Sequence, residues 1–321
     1  MAEQPTMRAA VIDAFGAADT LRVTEIPVPA PGEREVLVRV HAAGVNAIDW
    51  ATRAGQGVGV AEFPAVLGWD ISGTVAATGA GVTRFAVGDA VFGMPRFPAL
   101  AGGYADFAVA PEAELARVPA GIDHVTAASV PMVALTAWQT LFEHGGLLAG
   151  QRVLVSGAAG GVGHLAVQLA ADAGAEVVAT ASGDNHDFVL GLGAHRAVDY
   201  RTEPVHEVVR DVDLVVDPRG GEDFHRLLGV LRPGGILVTL KGESADHRRS
   251  ARERGVRAGF TYVHPDRAAL DRIAALLGEG RIRPSVQQVF SLDDVAKAHS
   301  IGEVGHVRGR LVIELNDEES Q

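Results

Sequence analysis

The chain has 321 residues, of which 47% are apolar and 21% charged, with no cysteine and a net charge of −12. That size and balance suit a soluble globular protein of about two domains that buries its core without covalent staples. The lack of cysteine excludes disulfides, thiolate catalysis and cysteine-based metal sites, and the acidic balance argues against nucleic acid as a partner.

Residues Met1 to Thr6 show no basic stretch leading into an apolar run, so no signal peptide is expected. No run of about 18 apolar residues predicts a membrane span, and the expected location is the cytoplasm. Short strands are predicted over 7–14, 35–43, 71–77, 90–93 and 104–109, separated by glycines such as Gly79, Gly88 and Gly102. This spacing predicts a small β-barrel-like domain. A short helix is predicted after Asn46, running through Asp49 and Trp50 toward Arg53.

Near Asp123 the pattern changes to strands alternating with helical segments, the signature of a parallel sheet with crossover helices. Strands are predicted over 152–156, 176–181, 196–199, 213–216, 235–240 and 256–262. The runs Val153-Leu154-Val155 and Val177-Val178-Ala179 read as strands buried on both faces. Between them, Leu165, Ala166, Leu169 and Ala173 recur at helical spacing, and His164 is expected on the helix surface. Farther on, amphipathic helices are predicted over 266–280 and 292–301 and a strand over 310–315, with a frayed acidic tail over 316–321. The basic cluster Arg248, Arg249, Arg252, Arg254 and Arg257 reads as solvated or helix-capping, with contact to an anion as the alternative.

The segment from Val153 to Gly163 runs from a strand into a helix through Ala158-Ala159-Gly160-Gly161-Val162-Gly163. Gly160, without a Cβ, lets a diphosphate approach the backbone, and Gly163 lets the helix pack on the strand. The first N–H groups of that helix then face the phosphates. Ala158 replaces the usual first glycine. The strand–turn–helix setting predicts a dinucleotide site at Ala159, Gly160, Gly161, Val162 and Gly163. The next strand ends Ala179-Thr180-Ala181-Ser182, with no acid to bind a ribose 2′-hydroxyl, and Ser182 suits a 2′-phosphate. His186 and Arg201 supply positive charge nearby, whereas Asp184 opposes it. The expected cofactor is NADPH.

These motifs resemble the zinc-independent quinone oxidoreductases, the zeta-crystallin-like branch of the medium-chain dehydrogenase/reductase superfamily. The resemblance rests on Gly44-Val45-Asn46 with Asp49-Trp50, Gly68-Trp69-Asp70, Gly88-Asp89-Ala90-Val91-Phe92-Gly93, Gly102-Gly103-Tyr104-Ala105, Leu135-Thr136-Ala137, the glycine turn and His306-Val307-Arg308-Gly309-Arg310. It implies an α/β fold, a Rossmann doubly wound parallel sheet inserted in a GroES-like β-barrel domain. The expected boundaries are a catalytic domain over 1–122, a dinucleotide-binding domain over 123–262 and a segment over 263–321 completing the first. It further implies a homodimer paired through the Rossmann sheet and a reductase passing hydride from NADPH to a quinone or α,β-unsaturated carbonyl. A specialised enoyl reductase or a non-catalytic NADPH-binding protein are the alternatives.

Zinc-containing relatives use cysteine and histidine where this chain has Asn46 and Trp69-Asp70, so no metal is expected. The resemblance assigns Asn46, Asp49, Trp50 and Thr136 to the catalytic side, and Tyr200 and Arg308 to the cofactor. Asn46 either donates its amide to a carbonyl or caps the helix; Asp49 either caps it or orients a water. Trp50 either packs or stacks on substrate, and Thr136 either faces the nicotinamide or bonds within its helix. No proton donor is identified.

Overall fold

The computed structural model describes residues 4–221 and 223–315, so the expected frayed tail lies outside the described residues. In chain order the first part comprises β1 (Thr6–Ile12), β2 (Arg22–Pro27), β3 (Glu35–Val45), α1 (Ala47–Arg53), β4 (Ala65–Val66), β5 (Asp70–Thr78), β6 (Ala90–Gly93), β7 (Phe107–Pro111), β8 (Leu115–Arg117) and α2 (His124–Ala128). The middle comprises α3 (Pro131–Trp138), a π-helical stretch (Gln139–His144), β9 (Arg152–Val155), α4 (Gly161–Asp172), β10 (Glu176–Ala181), α5 (His186–Gly191) and β11 (Arg196–Asp199). It continues with α6 (Val205–Val208), β12 (Val212–Asp217), α7 (Asp223–Leu227), β13 (Leu231–Thr239), α8 (Ala245–Glu253) and β14 (Arg257–Phe260). The chain ends with α9 (Arg267–Gly278), β15 (Val286–Ser291), α10 (Val295–Val304) and β16 (Arg310–Glu314).

Two compact units result: 1–132 with 264–280 and 284–321, and 133–263 with 281–283. The first unit holds, among the described residues, the sheet β15-β16-β3-β5-β6-β8, with β7 paired to β3, and the small sheet β2-β1-β4. β16 returns from the end of the chain to pair antiparallel with β3, Leu311 opposite Val45. Its core joins both chain ends: Val36, Val38, Ile71, Val91 and Tyr104 pack with Phe290, Val295 and Ile313.

The second unit is the expected doubly wound sheet, parallel throughout, in the order β11-β10-β9-β12-β13-β14. β9 lies at its centre, between β10 and β12. Successive connections leave β9 toward opposite edges, so the turn at its carboxyl end sits where such sheets bind ligands. Val153, Leu154 and Val155 are fully buried, as a strand covered on both faces requires.

The observed division differs from the sequence expectation at two places. Residues 123–132 belong to the first unit, because α2 packs on β3 and β5 and the Met132 N–H donates to Asp70 Oδ1 at 2.7 Å. Residues 281–283 belong to the second, where the Gln168 side chain accepts from the Arg283 N–H and donates to the Arg283 carbonyl. The basic cluster lies on and just beyond α8, where Arg248 pairs with Glu243 and Arg249 with Asp246. Among the described residues no helix is long and apolar enough to cross a membrane.

Candidate functional site

The glycine turn takes its shape from β10 as much as from β9. The Gly157 N–H donates to Thr180 Oγ1 at 3.1 Å and the Ala158 N–H to the Thr180 carbonyl at 2.9 Å. Gly157 has φ +61°, the left-handed region that a side chain disfavours. The tight turn is therefore made one residue before Ala158, and the missing first glycine is supplied by its neighbour. Gly160 is the N-cap of α4. A Cβ on Gly163 would stand 2.3 Å from the Gly157 carbonyl oxygen, so this glycine is required for helix packing. A Cβ on Gly160 would meet only that oxygen, at 3.4 Å. The space is closed at Gly163 and open at Gly160, where the leading N–H groups of a 12-residue helix emerge. Ala159, Gly160, Gly161 and Val162 are half-buried along that opening, and the cradle fits a diphosphate. His164, expected on the helix surface, is instead fully buried and donates from Nδ1 to the Gly160 carbonyl at 3.0 Å, because this face of the first turn points inward.

At the end of β10, Ser182 accepts from Asn185 Nδ2 at 3.0 Å, which leaves its hydroxyl hydrogen to donate. His186 opens α5 with a buried Nε2 that has no hydrogen-bond partner among the described residues. Tyr200 is flanked by two guanidinium groups, Arg201 at 5.8 Å and Arg219 at 5.3 Å from its ring centre. Arg219 also runs past the position a Gly157 Cβ would take. An acid does stand beside the end of β10, contrary to the reading of that strand alone. Asp199 lies opposite Ala181 in the parallel register and accepts from the N–H groups of Gly183 and Arg201, each at 2.9 Å.

In the first unit, Asn46 is the N-cap of α1 and is gripped by two buried carboxylates. Its N–H donates to Asp49 Oδ2 at 2.6 Å and its Nδ2 to Asp70 Oδ2 at 2.9 Å. Asp70 also accepts from Arg310 Nη2 at 2.9 Å, and Arg310 Nε donates to the Ser129 carbonyl. Tyr104 donates its hydroxyl to Asp49 Oδ2 at 2.9 Å. The outer oxygens, Asn46 Oδ1 and Asp49 Oδ1, are buried without partners among the described residues. Burial pushes the Asp49 carboxyl up to about 7, against the opposing hydrogen bonds of the Asn46 N–H and Tyr104. Burial likewise pushes Asp70 up to about 6, although Arg310 pulls it down.

Asp49 therefore favours the folded chain most when protonated. A raised pKa means that its contribution is complete below the unfolded value near 3.8 and is lost as pH rises through about 7. We expect this group to remove roughly 2–4 kcal/mol of stability between pH 4 and pH 8. Asp49→Asn, whose amide supplies a neutral donor toward Asn46 Oδ1, flattens that part of the profile and melts above the wild type at pH 8. Calorimetry of both proteins across this range tests it; parallel profiles refute it.

The remaining predicted residues fall differently. Trp50 turns to α10, where its ring fills the space above Gly302 and meets the His299 ring edge-on at 6.4 Å. Part of the ring packs there, because Gly302 leaves a slot for it. Asp49 has no exposed surface, and its hydrogen bonds run to Asn46 and Tyr104. Thr136 is buried on α3, and its carbonyl accepts the Thr140 hydroxyl at 2.6 Å. Arg308 is exposed in the turn before β16, where its N–H donates to Gln287 Oε1.

Asp70 is held by Arg310, Asn46 and the Met132 N–H, and among the described residues no three His, Asp or Glu side chains form a metal shell.

Comparison with known proteins agrees with this architecture. Residues 32–120 match the alcohol dehydrogenase GroES-like domain family and residues 192–313 the zinc-binding dehydrogenase family. The chain is 34% identical to the mitochondrial NAD(P)H oxidoreductase RTN4IP1 of Danio rerio, over all of this chain and 94% of that protein. It is 29% identical to the quinone oxidoreductase of Homo sapiens, over 92% of this chain and 94% of that one. The structure of the quinone oxidoreductase from Coxiella burnetii superimposes with a TM-score of 0.91 at 32% identity, covering 97% of this chain and all of that one.

Proposed function

Since the chain belongs to the quinone oxidoreductase branch of the medium-chain dehydrogenase/reductase superfamily, and is an oxidoreductase with a nicotinamide cofactor, we propose that it passes hydride from NADPH to a quinone or an α,β-unsaturated carbonyl without zinc. The observation that carries the reading is the paired glycine geometry at the carboxyl end of β9, closed at Gly163 and open at Gly160. When bound, the reduced nicotinamide supplies the hydride.

The chain's own groups bind and polarise. The N–H groups leading α4 hold the diphosphate. Ser182, His186, Arg201 and Arg219 favour a 2′-phosphate. Asp199 opposes it, but both its oxygens already accept backbone N–H bonds. Asn46 donates the second hydrogen of its amide to a carbonyl as charge develops there. The engagement of Asp70 by Arg310 and the absence of cysteine support the zinc-free reading. The homodimer implied by the resemblance suits β14, which ends the six-stranded sheet.

Following NADPH absorbance with a simple quinone, and separately with an enone, tests the activity. Cofactor binding with no turnover on a broad panel sinks it. Arg219→Ala raises the KM for NADPH about tenfold and leaves that for NADH unchanged, as expected for loss of one charge-assisted phosphate contact. Equal effects on both cofactors would argue against a 2′-phosphate at this place.

A further inference from the structure

The buried polar cluster of the first unit contains a line of hydrogen bonds that the proposed reaction does not use. Arg53 Nη1 lies 3.4 Å from His299 Nδ1, His299 Nε2 lies 3.4 Å from the Tyr104 hydroxyl, and Tyr104 lies 2.9 Å from Asp49 Oδ2. His299 and Tyr104 are fully buried, and Arg53 nearly so. Arg53 is held in turn by Glu303, which reaches the surface, and by the Gly16 carbonyl.

The direction of this line follows from chemistry. A guanidinium only donates, so His299 Nδ1 accepts. The neutral imidazole then carries its hydrogen on Nε2 and donates it to the tyrosine oxygen. Burial and the charge of Arg53 hold His299 down at about 3, so it stays neutral. The tyrosine hydrogen is left to point at Asp49 Oδ2. That oxygen thus receives two donors, Tyr104 and the Asn46 N–H, and the proton of a neutral Asp49 must sit on Oδ1. Oδ1 is the buried atom with no partner, and Asn46 Oδ1, in the same turn, is another. A proton on Asp49 Oδ1 would give that atom a hydrogen to donate, and Asn46 Oδ1, three residues away in sequence, is an acceptor without a donor.

We propose that Arg53, His299 and Tyr104 are positioning residues: their one-way hydrogen-bond line fixes which oxygen of Asp49 takes a proton, and through that proton orients the Asn46 amide toward its ligand. The other charged groups facing Asp49 are Asp70 on β5 and Arg310 on β16. Neither lies on the line, and both hold Asn46 or its partner from the opposite side.

The test uses full-length protein labelled with carbon-13 at the aspartate carboxyls, the Asp49 signal being the one absent from Asp49→Asn. In the wild type this signal titrates near neutral pH. Tyr104→Phe removes a donor to the ionised carboxylate and raises the midpoint by about one to two pH units. His299→Leu frees the tyrosine hydroxyl to turn away and also raises it. His299→Gln, which keeps one donor and one acceptor, restores the wild-type midpoint. A midpoint unmoved in both Tyr104→Phe and His299→Leu overturns the line. The role of Asn46 rests on the reductase reading, so kcat/KM for a quinone is measured against pH in the same variants. A turnover midpoint that moves with the carboxyl signal supports the coupling, and one that stays while the signal moves overturns it. Absence of turnover in every protein, wild type included, counts against the reductase activity and leaves the carboxyl measurement to decide the line.

Discussion

Gly160→Val abolishes cofactor binding and leaves the chain folded. The residue has φ −82° and ψ −177°, extended backbone that any amino acid adopts. Its added Cβ meets one atom, the Gly157 carbonyl oxygen at 3.4 Å. The two γ-methyl groups then project into the opening before α4, where phosphate oxygens accept the leading N–H groups. Losing a glycine cap for valine costs about 1 kcal/mol of fold stability, whereas displaced phosphate bonds weaken binding by about 100-fold or more. Gly163→Val is the control, because its Cβ would stand 2.3 Å from the Gly157 oxygen and 2.7 Å from the Ala158 Cα. Both contacts are backbone atoms that cannot rotate away, so this variant loses about 3 kcal/mol or more and fails on folding first. Titration calorimetry with NADPH and thermal melting of both variants distinguish the two glycines. Unaltered affinity in a folded Gly160→Val protein would remove the phosphate site from this turn.

These glycines were readable in the sequence because their roles are local. A turn that joins a buried strand to a helix constrains its backbone within a few residues, and β9 and β10 announce themselves as short apolar runs. Even so, Gly157 escaped notice as the true tight-turn residue. Its left-handed φ depends on Thr180, 23 positions away, which bonds the turn from the neighbouring strand. β2 and β15 were missed for another reason: Arg22–Pro27 and Val286–Ser291 mix polar and apolar residues, mostly partly exposed, without the strict alternation that marks a half-buried strand.

The Asn46 cluster was half readable. Asn46 and Asp49 sit at cap spacing, and the structure joins them as a capping pair. What surrounds them was beyond local pattern: Arg310 reaches Asp70 across 240 positions, and His299 reaches Arg53 across 246. His299 lies on a helix expected from the sequence, but nothing in that expectation singled it out. A buried histidine and a buried arginine have no sequence signature until the chain ends meet around β3 and β16.

Arg310 tests that meeting directly. Arg310→Met leaves the Asp70 carboxyl, which has no exposed surface, with only Asn46 Nδ2 and the Met132 N–H as partners. Removing one partner of a buried ion pair typically costs about 3–5 kcal/mol, far more than the intact pair contributes. Gly44 makes the environment unforgiving: a Cβ there would stand 2.4 Å from the Ala128 carbonyl and 2.9 Å from the Arg310 guanidinium, so the pocket is sized to the arginine. The loss must depend on pH. Burial already holds Asp70 up at about 6 despite the arginine. Without Arg310 its pKa rises further, so the folded variant keeps the proton to higher pH than the unfolded chain does. Stability is then retained below the unfolded value and lost as pH climbs through the raised one. Urea denaturation at pH 5 and pH 8 will show the larger deficit at pH 8. Asp70→Asn combined with Arg310→Met, which removes both charges, recovers part of the loss at pH 8 and little at pH 5. A double variant as unstable as Arg310→Met at pH 8 would mean that the arginine supports the fold through its bond to the Ser129 carbonyl and its packing, and not through the charge of Asp70.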